Sequence, residues 1–594
     1  MTQRTTDGTY VKGSWSLDDL IPTASGPEMD LAFAEVEAAA AALELMRPAL
    51  VPEIEEATFV EILGLVERHA LADLRLDTYA GMRFFEDMRD QDALAFLDCV
   101  ETALAAAKNR TLFFDLWWKA LDGANAKRLL KIAGDVAYYL ETLRSSAPYT
   151  LTEVEERVIN LKNVNGADAL VTLYRTITNG FAFDVEVDGE TTPLSRSEIM
   201  VLGRDASPAL RETAYRSMLG VYGSHREVLA QIYKHIAADW HAENVDLRRM
   251  ASPISVRNVE NDVPDDAVAV LLETCRENVG IFHRYFGLKA KWLGLERLRR
   301  FDVYAPLEEA EDEVPFPEGV GLVLDAFRAF SPKLADLAQR VLDEGHLDSE
   351  CRPGKRSGAL SADAMPGVTP WVLVNYGDRA ADATTLAHEL GHAVHALMAA
   401  DHSVLTFSPP LPLAETASSF AQMLLMDGMV ERDEDPLLRR AVLARYVEDS
   451  YTAIPRQAFF VLFEQEAHRM IAGGATADGL CAAYMANLRA QFGDSLEVDE
   501  IFQYEWLAHP HLFTMPFYDY AYAFGHLLVL SLFQRYKEEG DAFVPGYLKT
   551  LAYGGSTSPT DILDEAGFDI RAKGFWQGGF DVLAGMVDEL EELA

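Results

Sequence analysis

Residues 382–400 read DATTLAHELGHAVHALMAA, and this stretch decides how the rest of the chain is interpreted. Its apolar residues recur three and four positions apart, a spacing that predicts an amphipathic helix. One stripe of that helix is apolar and carries Leu386, Leu390, Ala393 and Leu397. The opposite side carries three histidines, His388, His392 and His395. Because polar side chains occupy only one face, that face is a candidate functional surface.

Residues 388–392 form the pattern HExxH. Side chains four positions apart lie one helical turn apart on the same face, so His388 and His392 can reach one tetrahedral metal ion. Glu389 projects about 100° around the helix axis and can hold a water molecule instead of the metal. Two alternatives are open: histidines that only satisfy hydrogen bonds in the core, and a chance match, which arises in roughly one chain in a few tens of this length.

A catalytic zinc site needs a third protein ligand and a free position for water. The arrangement HExxHxxGxxH is excluded, because positions 395 and 398 hold His395 and Met398. A carboxylate from a second helix is the remaining common solution. Residues 407–428, FSPPLPLAETASSFAQMLLMDG, predict such a helix, beginning at about Pro412 with Glu415 in its first turn.

The predicted second helix also separates polar from apolar residues. Its apolar stripe carries Leu413, Ala417, Phe420 and Leu424. The other side carries Glu415, Ser418, Ser419 and Gln422. This pattern predicts that Glu415 faces the metal. The alternative is a plain carboxylate in a first helical turn, where the helix dipole favours negative charge.

The remaining pattern predicts a mostly α fold with small β elements. A chain of 594 residues is large enough for two or more lobes. Helical periodicity runs from about 28 to 178, and the alternation at 181–195 predicts a β-hairpin with its turn at Asp188-Gly189. We therefore place an N-terminal helical lobe at 1–195, ending in the hairpin, and a catalytic domain at 196–594.

Within the predicted catalytic domain, helical periodicity resumes over about 197–298 and returns at 327–345. The acidic, Pro-containing stretch 308–321 between them predicts a surface loop. The β-prone run 371–374 predicts a short strand immediately before the HExxH helix.

Composition limits the environment and the partners of the chain. The formal net charge of −42, from 52 basic and 94 acidic residues, argues against nucleic acid and anionic membrane surfaces as partners. The N-terminus lacks a signal-peptide pattern, and no segment offers 18 uncharged apolar residues. The four cysteines form no CxxC pair, so neither a disulfide framework nor a thiolate metal site is indicated. We expect a cytoplasmic protein.

HELGHAVH followed by ETASS resembles the thimet oligopeptidase and oligoendopeptidase F family, which consists of gluzincin-type zinc peptidases. Further segments are similar to family segments and occur in family order: WSLDDL at 15–20, RSGAL at 356–360, WVLVNYGD at 371–378, HLFTMPFYDYAYAFG at 511–525 and AYGGSTSP at 552–559. The resemblance extends over roughly residues 10 to 580.

The resemblance implies a zinc-dependent endopeptidase that binds one Zn²⁺ per chain. It makes His388, His392 and Glu415 the zinc ligands and Glu389 the general base. It also implies that His511 and tyrosines of the FYDYAYAFG segment assist the transition state. The expected fold is a mostly helical, two-lobed shell around a deep channel that admits short, unfolded peptides.

The tyrosine segment offers Tyr518, Tyr520 and Tyr522 as hydrogen-bond donors to the oxyanion of peptide hydrolysis. Tyr518 and Tyr522 share a face whether the segment is helical or extended, so we favour them over Tyr520. An aromatic stripe in the core is the alternative. His509 is interpreted as structural.

Gly554 and Gly555 predict a flexible turn against the substrate, although glycine pairs also form ordinary turns.

One residue departs from the family pattern. Seven positions beyond the ligand glutamate the family usually has a second glutamate, but this chain has Gln422. A neutral amide accepts an N–H from a ligand imidazole more weakly than a carboxylate does, so zinc affinity or water activation should be reduced.

Two other functions compete with the endopeptidase. One is a zinc carboxypeptidase of similar helical build, which also uses HExxH with a distant glutamate. The other is a peptide-binding or storage protein with a degenerate zinc site, and the intact Glu389 argues against it. The sequence leaves open the side-chain preference, the natural substrate and the oligomeric state.

Overall fold

A computed structural model describes residues 3–4, 9–187, 190–307, 313–363, 365–432 and 436–594. The helices of the first half are α1 Pro27–Met46, α2 Glu56–Glu86, α3 Gln91–Thr111, α4 Phe113–Ala120, α5 Gly123–Leu130, α6 Ala137–Ser145, α7 Glu153–Asn163, α8 Ala167–Asn179, α9 Arg196–Leu202, α10 Pro208–Ser224, α11 Arg226–Trp240, α12 Pro253–Glu260, α13 Asp265–Glu277 and α14 Val279–Trp292. Those of the second half are α15 Phe316–Phe330, α16 Pro332–Asp343, α17 Ala380–Met398, α18 Leu411–Ala414, α19 Thr416–Arg432, α20 Pro436–Ala453, α21 Pro455–Ala472, α22 Ala477–Phe492, α23 Pro510–Thr514, α24 Tyr520–Glu539, α25 Val544–Ala552, α26 Pro559–Glu565 and α27 Lys573–Glu592. A 3₁₀ segment spans Glu500–Ala508. The predicted mostly α fold is confirmed.

The strands are short and form small sheets. They are β1 Gln3–Arg4, β2 Tyr10–Val11, β3 Phe183–Val187, β4 Glu190–Leu194, β5 Leu298–Arg299, β6 Leu347–Asp348, β7 Leu360–Ala362, β8 Trp371–Leu373 and β9 Leu496–Glu497. β1 pairs with β2 antiparallel, and β5 pairs with β9 parallel. The central β8 pairs with β6 parallel and with β7 antiparallel. This three-stranded sheet confirms the predicted strand before the HExxH helix.

The predicted hairpin forms from β3 and β4, which pair antiparallel. Phe183 and Val185 alternate with exposed residues and are buried, as the period of two requires. The predicted turn at Asp188-Gly189 lies outside the described residues. Directly after the hairpin, Ser195 caps α9 through a capping box with Glu198, which explains where helical structure resumes.

Two sequence-based boundaries were wrong. The loop predicted over 308–321 is shorter at its end, because α15 already begins at Phe316; Pro317 fits in a first helical turn. The helical stretch predicted over 327–345 contains a break between two helices, α15 and α16. Pro332 lacks an N–H and begins α16, while Ser331 is extended, so the chain breaks between them.

The chain folds into two compact units, each built from separate segments. The first unit comprises Met1–Ala147, Glu311–Arg432 and Arg535–Phe568, and the second comprises Pro148–Ala310, Asp433–Gln534 and Asp569–Ala594. Neither unit ends at residue 195, so the domain division at that residue stays a prediction.

In the first unit, α17 packs against α15, α16, α19 and the strands β7 and β8. Leu386, Leu390 and Ala393 on α17 are fully buried, which confirms the apolar stripe. No helix among the described residues is long and apolar enough to cross a membrane.

Candidate active site

Three of the predicted residues lie together in the first unit. His388 Nε2 and His392 Nε2 lie 3.3 and 3.4 Å from Glu415 Oε2. The two imidazole rings are nearly perpendicular, with centroids 4.9 Å apart. Ligand atoms about 2.1 Å from a tetrahedral zinc ion lie about 3.4 Å from one another. Two imidazole nitrogens and a carboxylate oxygen at these separations therefore fit the coordination that zinc prefers.

The close approach of α17 to α19 positions these side chains. A Cβ atom at Gly391 would lie 2.6 Å from Ser418 Cα and 2.8 Å from the Ala417 carbonyl oxygen. Only glycine fits at that point of α17, although it weakens an isolated helix. Gly391 thus brings the helix of the two histidines next to the segment that carries Glu415.

Glu415 is placed differently from the prediction. It does not lie in the first turn of one helix but at the junction between α18 and α19. Its backbone N–H donates to the Leu413 carbonyl, which closes the short α18 before α19 begins. Ser418 Oγ donates to Glu415 Oε2 at 2.9 Å and restricts the carboxylate.

The neighbouring histidines favour the charged form of the Glu415 carboxylate. Burial raises its pKa, but the contacts with His388 and His392 outweigh burial and hold the pKa well below its usual value. A charged carboxylate is the form that binds a divalent cation.

Gln422 contacts the first histidine of the pattern. His388 Nδ1–H donates to Gln422 Oε1 at 3.1 Å. This contact makes Nδ1 the protonated nitrogen and leaves the Nε2 lone pair available for a metal ion.

Glu389 is 7% exposed and lies on α17 beside the histidines. Burial raises the pKa of its carboxyl group, although the neighbouring histidines partly oppose this effect. A carboxylate whose pKa is raised accepts a proton more readily at neutral pH.

The second unit holds another cluster of polar residues, at the start of the tyrosine segment. His509 Nε2 and His511 Nδ1 donate to the two oxygens of Asp519, at 2.6 and 2.7 Å. Asp519 is 1% exposed, and it fixes the orientation of both imidazole rings. His509 also stacks on Phe460, with centroids 3.9 Å apart, in keeping with its interpretation as structural.

Tyr518 and Tyr522 lie against His511. The His511 ring centroid is 5.4 Å from that of Tyr518 and 6.0 Å from that of Tyr522, and the two tyrosine rings are 5.3 Å apart. Tyr520 lies elsewhere: it is buried, and its hydroxyl accepts from Asn261 Nδ2 at 2.9 Å. The segment thus separates into a grouped pair and a core tyrosine.

Gly554 and Gly555 lie in the first unit against the backbone of residues 406–408. A Cβ atom would lie 2.4 Å from Phe407 O at Gly554 and 2.2 Å from Ser408 O at Gly555. Gly554 also has φ = +48°, and Gly555 N–H donates to Thr406 O. Close packing accounts for both glycines, and contact with substrate stays a prediction.

Two residues of these clusters were missed from the sequence. Gly391 carried a usable signal, because a glycine inside a helical pattern indicates close packing. Asp519 carried no such signal, since one acidic residue between two tyrosines is typical of an exposed position.

The chain is similar to known peptidases along most of its length. An oligoendopeptidase F homolog of Borreliella burgdorferi is 27% identical over 465 residues, which are 76% of this chain and 77% of that protein. Oligopeptidase PepF of Bacillus subtilis is 24% identical over 531 residues, which are 87% of this chain and 78% of that protein.

Solved structures share the fold. A crystal structure from Chlamydophila abortus has a TM-score of 0.89 at 23% identity and covers 98% of both chains. Oligoendopeptidase-F from Enterococcus faecium has a TM-score of 0.69 at 19% identity, covering 95% of this chain and 98% of that one. Residues 201–582, more than half of the chain, match the model of peptidase family M3. The predicted family resemblance is therefore confirmed, and the chain belongs to peptidase family M3.

Proposed function

We propose that this chain is a zinc-dependent endopeptidase that hydrolyses internal bonds of short, unfolded peptides in the cytoplasm. The observation that carries the proposal is the convergence of His388, His392 and Glu415 beside the buried Glu389, in a chain of a peptidase family. The names of the relatives, oligoendopeptidase and oligopeptidase, support short peptides as substrates.

His388, His392 and Glu415 would hold one zinc ion, with Gln422 orienting His388. A zinc ion there would supply a Lewis acid that activates water and polarises the scissile carbonyl. The donor set of two imidazoles and one carboxylate is typical of catalytic zinc sites that keep a position open.

Glu389 takes the proton from the attacking water and later delivers it to the leaving amine. Its burial favours this role, because burial raises the pKa of the Glu389 carboxyl group and makes the carboxylate a stronger proton acceptor. Tyr518 and Tyr522 donate hydrogen bonds to the oxyanion that develops at the scissile carbonyl, and His511 does so through Nε2–H in its doubly protonated form, since its Nδ1–H is bound to Asp519. Their mutual contacts around a histidine oriented by Asp519 support this role, which rests on the family resemblance.

The relatives named oligoendopeptidase and oligopeptidase favour short peptides over folded proteins as substrates. We therefore expect the purified enzyme to cut unfolded peptides internally and to leave native globular proteins intact.

Mass spectrometry of the products from a peptide library tests the proposal. The library contains peptides with free and with amidated C-termini, incubated with enzyme that is zinc-loaded, chelated, or chelated and resupplied with zinc. Internal fragments from both peptide classes, lost on chelation and restored by zinc, are expected. Stepwise release of C-terminal residues from free peptides alone would identify a carboxypeptidase instead. Binding without cleavage would identify a degenerate zinc protein.

A further inference from the structure

A small cavity in the second unit is lined by hydrogen-bond donors that have no acceptor among the described residues. Its lining includes Arg300, Tyr451, Arg456, Gln491 and Glu505. Arg300 Nε and Nη1, the Tyr451 hydroxyl and Gln491 Nε2 are buried without a hydrogen-bond partner among the described residues. Arg300, Tyr451 and Gln491 are 1%, 1% and 4% exposed. Because buried N–H and O–H groups are nearly always paired, donors gathered at one cavity indicate a bound acceptor.

The same lining has an excess of positive charge. Arg300 Nη2 and Arg456 Nη2 lie 2.6 and 3.6 Å from the same atom, Glu505 Oε1. Glu505 Oε2 accepts the Tyr484 hydroxyl at 3.1 Å. Among the described residues that line the cavity, Glu505 is the only acidic side chain. One carboxylate therefore faces two guanidinium groups, and the surplus positive charge is only partly hydrated, since Arg300 is buried and Arg456 is 22% exposed.

Aromatic rings surround Arg300. Its guanidinium lies over the rings of Phe502, Tyr304 and Phe492, at 5.1, 5.6 and 5.8 Å from their centroids. Aromatic faces attract the positive charge, but they do not accept N–H groups in the plane of the guanidinium as an anion does.

We propose that this cavity binds a small inorganic anion, with chloride as the occupant. Arg300 and Arg456 supply the charge, and the Tyr451 hydroxyl and the Gln491 amide donate to the ion. The cavity offers about 10 Å³ to the centre of a water-sized particle, which is enough for one small ion. A halide ion fits that space, whereas the oxygen shell of phosphate does not. Water would fit as well, but it leaves the positive charge uncompensated.

The cavity adjoins the histidine cluster of the second unit, His509 and His511. Arg456 Cζ is 4.9 Å from the centroid of the Phe460 ring, and that ring stacks on His509. Arg456 is also 22% exposed, so the ion can exchange with solvent at that edge. The proposal does not depend on the peptidase function, and binding alone tests it.

Thermal melts of the zinc-loaded, full-length protein test the site. Sodium chloride is titrated against sodium gluconate at constant ionic strength, for the wild type, Tyr451→Phe and Tyr233→Phe. Tyr233 is the matched control, because its hydroxyl is also buried and unpaired among the described residues but does not line the cavity. We expect a saturable rise of Tm with chloride in the wild type and in Tyr233→Phe. Tyr451→Phe should need about tenfold more chloride, because a hydrogen bond to a charged group is lost.

Crystals soaked in bromide give a test that does not depend on the variants. An anomalous peak between Arg300 and Tyr451 is expected. Water at that position, the same Tm in both salts, or an equal chloride response in Tyr451→Phe and the wild type would overturn the proposal.

Discussion

Gln422 Oε1 accepts a hydrogen bond from His388 Nδ1 at 3.1 Å, so a neutral amide of α19 orients the first histidine of the HExxH pattern. The other ring nitrogen, His388 Nε2, lies 3.3 Å from Glu415 Oε2. Partners of this kind fix the tautomer of a metal-binding imidazole and raise its basicity, and an amide does so more weakly than a carboxylate.

Gln422→Glu should tighten zinc binding by up to about tenfold, which is at most the lower end of the range of about 10- to 100-fold typical of such partners. Gln422→Met is the matched control, because it keeps the approximate shape but accepts no comparable hydrogen bond; it should weaken zinc binding. Zinc titration against a competing chelator measures the zinc affinity of both variants. A new carboxylate without a donor costs desolvation, so melts accompany the titration. Unchanged zinc affinity with a lower Tm would make Gln422 a packing residue only.

Glu389→Gln should leave zinc bound and lower kcat by about 10²- to 10⁴-fold, because it removes the general base but no proposed ligand. Metal analysis of the purified variant and turnover of a fluorogenic peptide measure the two effects separately. Turnover close to that of the wild type in the zinc-loaded variant would contradict the mechanism.

Glu415→Ala should lose most of its zinc affinity, because one of three protein ligands is removed. Ser418→Ala serves as the matched control on the same turn. It removes the hydrogen bonds from Oγ to Glu415 Oε2 and to the Glu415 carbonyl oxygen but no proposed ligand, and it should weaken zinc binding by a smaller factor. If chelator competition finds equal zinc affinity in Glu415→Ala and the wild type, the third ligand lies elsewhere.

Tyr518→Phe and Tyr522→Phe should each lower kcat with little change in KM, because a donor to the oxyanion acts in the transition state. Loss of one such donor costs about 10²- to 10³-fold when no other donor compensates. Tyr520→Phe is the control: it removes the hydrogen bond from Asn261 and should lower Tm but not kcat. Normal kcat in both Tyr518→Phe and Tyr522→Phe would exclude both hydroxyl groups from the transition state.

Gly391→Ala should destabilise the protein by about 1–3 kcal/mol, because its Cβ meets the backbone of α19. The same displacement separates the two histidines from Glu415, so zinc affinity should fall as well. A Cβ atom at Gly428 on α19 would have no atom of the described residues within 4 Å. Gly428→Ala should therefore be neutral or stabilising by up to about 1 kcal/mol. Tm and zinc affinity of both variants decide whether close helix packing positions the site. Equal values for the two variants would refute the packing argument.

Much of the fold was predictable because its signals are local. The helices up to Asn179, the hairpin at β3 and β4, and the strand β8 follow from the spacing of apolar residues along the chain. The boundaries at Phe316 and Ser331 were less predictable. Pro317 lies in the first turn of a helix inside the predicted loop, and Pro332 interrupts a continuous helical pattern.

The candidate site likewise has features that the sequence predicts and features that depend on long-range packing. The sequence by itself determined that His388 and His392 share a helix face with Glu389 beside them, because a spacing of four residues sets these directions within one helix. It did not determine that Glu415 lies at a helix junction, or that Asp519 bridges His509 and His511. Those contacts join residues whose directions depend on how separate elements pack. Arg300 and Tyr451 are 151 positions apart in the chain, so only the tertiary structure decided that they line one cavity. Burial and charge neutralisation act on groups that packing brings together.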